Sequence, residues 1–256
     1  MTAHPKVTLV TCKSMPNLFK GEEGLLDELA ARGCDPQIKV WNDPDVDWSE
    51  AGMVVVRSVS DYASDRPAFL EWTKQLRRVQ NSADVLNWNT DKHYLKELAA
   101  LGMPTIPTNW LEPEQNLSKH QIHTRFPAFG EFVVKPAVSS GVRDIGRYTT
   151  VDTRQRQAAM RQVQGLLGEG RSVMIQRYVE EIDLHGEISL VFFNGLVSHA
   201  VEKRSALHPA SVSDHAVHEA VVTAEAADSV AWKWGEEIRR VLHGYVRSRL
   251  GHDEQF

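Results

Sequence analysis

Lysines that end apolar runs beside small residues are candidates for anion binding. Lys135 closes the apolar stretch Phe132–Lys135, and Pro136 stops it. A Ser/Gly-rich segment follows, Ala137-Val-Ser-Ser-Gly-Val-Arg-Asp-Ile-Gly146. An ammonium group placed there can meet phosphate oxygens as a point charge, and small residues let backbone N–H groups close over an anion. The gap from Gly141 to Gly146 is that of a P-loop, but Arg147-Tyr148 stands where that motif needs Lys and Ser/Thr. A surface turn after an edge strand is the competing explanation of the segment. Lys92, in Asp91-Lys92 at the start of a helical stretch, is a second candidate, although Asp91 suits a helix N-terminus whatever the function. His120/His123 and His215/His218 share an i,i+3 spacing that one helix face could use for a metal, yet neither pair carries an adjacent carboxylate–histidine pattern. There is no Gly-x-Ser-x-Gly elbow, and nothing marks a Ser/His/Asp triad. The two cysteines, Cys12 and Cys34, read as reduced thiols.

Such residues need elements to hold them. The first third alternates strand and helix: Val7–Thr11 as a strand, Glu22–Arg32 as a helix ending at Gly33, Gln37–Trp41 and Met53–Val56 as strands, and Ala68–Val79 as an amphipathic helix. The unbroken apolar run Met53–Val56 suits a strand buried on both faces, and the alternation favours a parallel sheet with crossover helices. The chain then changes character. Thr90–Leu101 reads as a helix stopped by Gly102 and Pro104, Phe132–Lys135 as a strand, Val138–Arg147 as a loop, Thr153–Leu167 as a long polar helix and Val173–Tyr178 as a strand. Asn194-Gly195, between Glu187–Phe193 and Leu196–Lys203, is a strong two-residue hairpin signal. Ala206–Asp228 has no clear period, and Ser229–Val246 reads as a helix.

Composition narrows the function classes. The 256 residues are 42% hydrophobic and 25% charged, which suits a globular protein and argues against disorder. Lys+Arg number 29 against 34 Asp+Glu, so a net charge of −5 excludes an overall basic field for nucleic acid. No apolar run approaches the roughly 20 residues of a membrane span, and the N-terminus has no signal pattern, so a cytoplasmic protein is expected.

The motifs are more specific together than singly. In order they run Trp88-Asn-Thr-Asp-Lys92-His-Tyr-Leu95, Gly102-Met-Pro-Thr-Ile-Pro-Thr108, and Phe132 to Tyr148 through Lys135 and the Ser/Gly segment. Met174-Ile-Gln-Arg-Tyr-Val179, His185-Gly-Glu187-Ile-Ser-Leu190 and Asn194 to Lys203-Arg204 follow. Over roughly residues 6–205 the pattern closely resembles the ATP-grasp superfamily, in the glutathione-synthetase-like and ribosomal-S6-modification-like branch that includes the cycloserine-forming cyclo-ligase.

The resemblance implies roles. Lys92 and Lys135 would hold ATP phosphates, and the Ser139–Gly146 loop, with Ser139, Ser140 and Gly141, would fold over the triphosphate. Gln176, Arg177, Tyr178 and Val179 would form the hinge whose backbone reads adenine, and Glu187 would accept the ribose hydroxyls. Lys203 and Arg204 would neutralise the γ-phosphate and a developing acyl phosphate. Val54-Val-Val-Arg57-Ser-Val-Ser-Asp61-Tyr62 resembles the family's Arg-Ser-x-x-Asp-Tyr segment. It nominates Arg57, Asp61 and Tyr62 as substrate contacts, with a core salt bridge or turn cap as the alternative. Val138–Arg147, whose apolar anchors are Val142 and Ile145, is expected to be a low-stability lid.

The expected fold is α/β: a Rossmann-like parallel-sheet domain over residues 1–90, then an ATP-grasp region over 91–256. The latter divides into a small subdomain at about 105–178 and a C-terminal subdomain at 179–256. Relatives continue past a helix like Val230–Leu242 into two strands carrying Mg²⁺ ligands. Here Tyr245-Val-Arg247 would begin the first, but no Asp follows in place, so the metal ligands are not identifiable and truncation at the C-terminus is expected. The implied activity is ATP-dependent ligation of a carboxylate to an amine through an acyl phosphate, on an amino-acid-like small molecule. The alternative is a catalytically impaired nucleotide-binding accessory or regulatory protein. ATP and Mg²⁺ are the cofactors implied. The partners implied are small-molecule carboxylate and amine substrates, with a homodimer allowed for and neither nucleic acid nor membrane. Missing ligands predict weak turnover, little Mg²⁺ dependence of nucleotide binding and self-association through an exposed sheet edge.

Overall fold

The structure, a computed structural model, describes residues 4–203, 207, 219–222 and 229–250. The chain divides into two compact units, one of Met1–Lys92 with Val138–Gly141, the other of His93–Ala137 with Val142–Phe256.

In the first unit, strands β1 (Lys6–Thr11), β2 (Asp35–Val40), β3 (Met53–Ser58) and β4 (Val79–Gln80) form a parallel sheet in the order β2-β1-β3-β4. Helices α1 (Gly24–Ala31), α2 (Arg66–Lys74) and α3 (Ala83–Asn89) accompany it. The central position of β1 explains its run of buried residues, since both faces are covered. Val10, Val54, Phe69, Trp41 and Trp72 share one core, with Trp41 edge-on to Phe69 at 5.4 Å between centroids.

Two expectations about helices need correction. The helix expected over Ala68–Val79 is Arg66–Lys74, started by Asp65, whose carboxylate accepts from the Ala68 N–H at 3.1 Å. Val79 instead pairs with Val54 as part of β4, because a β-branched residue gains more by extending the parallel sheet than by continuing a helix. The helix expected over Thr90–Leu101 is shorter, α4 (Tyr94–Ala100), and a break separates it from the preceding helix α3. The Thr90 hydroxyl turns back on the Leu86 carbonyl at 2.6 Å and Thr90 caps α3, so Lys92 lies in the break.

The second unit holds two antiparallel sheets. β5 (Thr108–Leu111), β6 (Glu131–Pro136), β7 (Gly146–Thr149) and β8 (Val173–Arg177) align in the order β5-β8-β6-β7. Helices α5 (Lys119–His123) and α6 (Thr153–Gly168) cover one face, where Phe132, Val134, Val163, Val173 and Ile175 form the core. The short helix α7 (Glu181–His185) leads into β9 (Glu187–Phe193) and β10 (Leu196–Lys203), with β11 (Glu219–Val222) along the far side of β10. Asn194 and Gly195 both take positive φ, 53° and 74°, as their turn requires. Helix α8 (Ser229–Leu250) packs on the β9 face that carries Ile188, Leu190 and Phe192. Tyr245-Val-Arg247, expected to begin a strand, lies inside α8. Ile238, Leu242 and Val246 recur at four-residue spacing, and Val246 is buried, so the apolar stripe carries the helix past the expected boundary. Among the described residues no helix is long and apolar enough to cross a membrane.

Candidate functional site

The sheet alternation in the second unit sorts side chains onto faces. Phe132 and Val134 of β6 point into the core with α6, so Val133 and Lys135 take the other face. In β8, Val173 and Ile175 join that core, leaving Met174 and Gln176 beside Lys135 and Val133, with which they pair. Lys135 is half-buried and has no hydrogen-bond or ion-pair partner among the described residues. Burial pushes its pKa down, and the field of Glu187 only partly opposes this. Glu187 stands directly opposite Lys203 in the β9–β10 ladder, on the face away from α8. Glu187 is thus paired with Lys203 across the ladder and within electrostatic reach of Lys135. Arg204 lies outside the described residues.

The hinge expected at Gln176–Val179 follows directly. Gln176 is buried, and its amide donates to Thr108 Oγ1 at 2.7 Å. The Arg177 guanidinium lies over the Phe129 ring at 4.5 Å. The Tyr178 N–H donates to the Glu131 carbonyl at 2.9 Å, while the Val179 N–H has no backbone partner among the described residues. A free backbone donor next to a strand end can receive a ligand acceptor.

In the first unit, Lys92 Nζ donates to Ser139 at 2.8 Å to Oγ and 3.0 Å to the carbonyl, and the Tyr62 hydroxyl donates to that carbonyl at 3.2 Å. Ser139 is buried. Ser140 follows it, and Gly141 has φ 62° with open space where a Cβ would stand. In the second unit, Asp144 is ion-paired to Arg171 at 2.9 Å, and its carbonyl accepts from Gln162 at 2.7 Å. Val142 is exposed. Polar bonds at Ser139 and Asp144 tether the segment expected to be a lid.

The other nominated residues of the first unit have partners of their own. Arg57 is ion-paired to Glu22, which also accepts from the Ser58 hydroxyl at 2.6 Å. Asp61 accepts the Trp41 indole N–H at 2.7 Å. The structure brings Tyr62 to Lys92 through Ser139, and places Arg57 and Asp61 in separate pairs.

A family model described as the N-terminal domain of D-cycloserine synthetase DcsG matches residues 7–87. The cycloserine biosynthesis protein DcsG of Streptomyces lavendulae is 35% identical over 190 residues, 72% of this chain and 62% of that protein. The match thus spans less than two thirds of the curated relative's length. The crystal structure of D-cycloserine synthetase DcsG shares 31% identity with a TM-score of 0.76, covering 93% of this chain and 81% of the other. The chain belongs to this DcsG family. D-alanyl-alanine synthetase A of Vibrio cholerae, at 13% identity and TM-score 0.62 over 96% of this chain and 82% of the other, shares the fold. The fold of the DcsG family and of this chain is the ATP-grasp α/β fold, with its parallel-sheet first part.

Within the family's fold, two clusters escaped sequence reading. Arg147 donates to Glu131 Oε2 from Nε at 2.9 Å, to Asp183 at 2.8 Å and to the Leu207 carbonyl at 3.2 Å, and its guanidinium lies 3.6 Å from the Tyr178 ring centroid. Burial lowers its pKa, but the bonds to Glu131 and Asp183 outweigh that and raise it. Its only signal in the sequence is that an arginine replaces the P-loop lysine, which says nothing of its partners. A second cluster joins Glu112 to His93 at 3.1 Å and Lys96 at 3.0 Å. Desolvation would raise the Glu112 pKa, yet bonds from Ser172, His93 and Lys96 hold it at about 2.

Proposed function

We propose that this chain is an ATP-dependent ligase that joins a carboxylate to an amine on an amino-acid-like small molecule. The observation that carries the reading is Lys135: a half-buried cation with no hydrogen-bond or ion-pair partner among the described residues, within the field of Glu187. Keeping an ammonium group in that setting is unfavourable unless an anion joins it, and a triphosphate supplies that anion. The Val179 N–H, free of backbone partners among the described residues at the end of the hinge, suits an acceptor on the adenine edge. Family membership and the ATP-grasp fold support the same reading.

The proposed assignment keeps Lys92, Lys135, Ser139, Ser140, Gly141, Gln176, Arg177, Tyr178, Val179 and Glu187 on the nucleotide. Lys203 and Arg204 act at the transferring phosphoryl group, and Arg57, Asp61 and Tyr62 at the substrate. It keeps residues 1–90 as the substrate domain and 91–256 as the ATP-grasp domain. A substrate carboxylate oxygen attacks the γ-phosphorus, the bond to the ADP oxygen breaks, and an acyl phosphate forms. The amine then attacks the acyl carbon, inorganic phosphate leaves and a proton is lost from nitrogen, giving the amide. Lys135 and Lys203 hold negative charge in place through the first step. Mg²⁺ is the metal expected of such chemistry. Among the described residues no group of three or more His, Cys, Asp and Glu is placed to hold a metal ion, so no step is assigned through one.

The test measures ADP release by the purified chain with ATP, Mg²⁺ and a panel of amino-acid-like carboxylates and amines. Release that depends on both substrates supports ligation. ATP binding without release assigns the chain to a nucleotide-binding accessory role, and absence of ATP binding overturns the reading.

A further inference from the structure

Arg147 is the second residue of β7, directly after the Ser/Gly segment. Its guanidinium joins pieces of chain that are remote in sequence: Glu131 at the start of β6, Asp183 in α7 and the carbonyl of Leu207. It also covers the Tyr178 ring, whose hydroxyl donates to the same Asp183. The Tyr178 N–H returns to the Glu131 carbonyl at 2.9 Å. Arg147, Asp183, Tyr178 and Glu131 thus close a ring around the hinge.

Partly exposed ionic networks such as this one contribute little net stability. What a satisfied network supplies is a single conformation. Here the conformation held is that of Tyr178, the residue before the Val179 N–H that no backbone carbonyl accepts among the described residues. A segment fixed before binding loses less freedom when a ligand docks, so the ring should act on affinity for the base and leave the phosphates alone.

We infer that Arg147 is a positioning residue for nucleotide-base recognition, holding the Tyr178–Val179 hinge by stacking on Tyr178 and bonding to Asp183 and Glu131. The inference rests on the proposed assignment of that hinge to adenine. Arg147 touches no nucleotide in this role. It acts through Tyr178.

The experiment compares ATP, GTP and inorganic tripolyphosphate binding to the full chain by calorimetry, with thermal melting alongside. In Arg147→Met, ATP affinity should fall about tenfold, the scale of one lost charged hydrogen bond, with tripolyphosphate affinity within about twofold of the parent. The preference for ATP over GTP should shrink in parallel. Arg147→Lys should recover part of the loss, since it keeps charge but not the planar fork. Should Arg147→Met not fold, Tyr178→Phe, which keeps the stacked ring and removes the bond to Asp183, should lower ATP affinity about threefold with tripolyphosphate unmoved. Unchanged ATP affinity in the folded variants, or equal losses for ATP and tripolyphosphate, overturns the inference while leaving ATP binding intact. Failure of the unsubstituted chain to bind ATP overturns the nucleotide reading and this inference with it.

Discussion

Charged residues at the carboxyl ends of the first unit's parallel sheet and Lys135 on β6 of the second unit carry their charge differently. In the first, Arg57 has Glu22, Asp61 has the Trp41 indole, and Tyr62 and Lys92 share Ser139. In the second, Lys135 is half-buried without a bonded partner among the described residues. A charge satisfied within the chain can be explained by folding alone, whereas a desolvated cation left without a bond is held at the expense of stability and points to a ligand. The contrast ranks the nominated residues: Lys135 stands first, and Arg57 and Asp61 need a substrate that displaces or joins existing partners.

The largest effect that would sharpen this contrast is expected at Lys135. Replacement by Met should weaken ATP binding by about 1.5–3 kcal/mol, read by calorimetry. The same variant should melt at a higher temperature than the parent without ligand. Burial depresses the Lys135 pKa below its ordinary 10.5, so between the depressed value and 10.5 the unfolded chain binds more protons than the folded one. The group's penalty is complete below the depressed value and fades as pH rises through the window, so the gain in melting temperature should shrink toward pH 10.5. An unchanged ATP affinity, or a lower melting temperature, would break the comparison.

Glu22→Gln probes the other side. Removing the charge that meets Arg57 and Ser58 should lower stability by about 1–2 kcal/mol in urea unfolding and leave ATP affinity as it was. A loss of ATP affinity with no loss of stability would place this pair with Lys135.

Satisfied charges occur in the second unit too, and Glu112 tests whether satisfaction, not location, is what matters. Its bonds to Ser172, His93 and Lys96 hold its pKa at about 2 against an ordinary 4.5. The stability it contributes is present above 4.5 and is lost as pH falls toward 2. Glu112→Gln should therefore cost about 1 kcal/mol at neutral pH, with the difference from the parent closing in acid. A difference that grows in acid would refute the assignment of these bonds. The smallest effect is expected for Ser139→Ala, which removes the hydroxyl acceptor of Lys92, leaves the Ser139 carbonyl in place and should cost about 0.5–1 kcal/mol by thermal melting. Hydrogen exchange should show the Asp144 end of the segment protected without nucleotide, because Gln162 and Arg171 already hold it.

Elements with a local signal were legible in the amino-acid order. The parallel first sheet followed from short apolar runs alternating with helices, and the β9–β10 hairpin from Asn194-Gly195, whose turn conformation is set by near neighbours. Lys135 could be singled out because a strand end and a glycine-rich segment are both local features. Val79 could not be placed, because its strand pairing depends on Val54 in a distant part of the chain. Nor could the end of α8, because the buried Val246 that prolongs its apolar stripe is packed only once the second unit has folded. The partners of charged groups were least accessible of all: Glu22 and Arg57 lie 35 positions apart, and Tyr62 and Ser139 lie 77 apart. Periodicity and turn chemistry act over a few residues, so the sequence by itself determined the longer apolar strands, the hairpin and the candidate lysine, but not the short strands β4, β5, β7 and β11. Which charges are paired and which are left for a ligand is decided by packing between remote segments. Only the tertiary structure determined that Arg57 is paired while Lys135 has no bonded partner among the described residues.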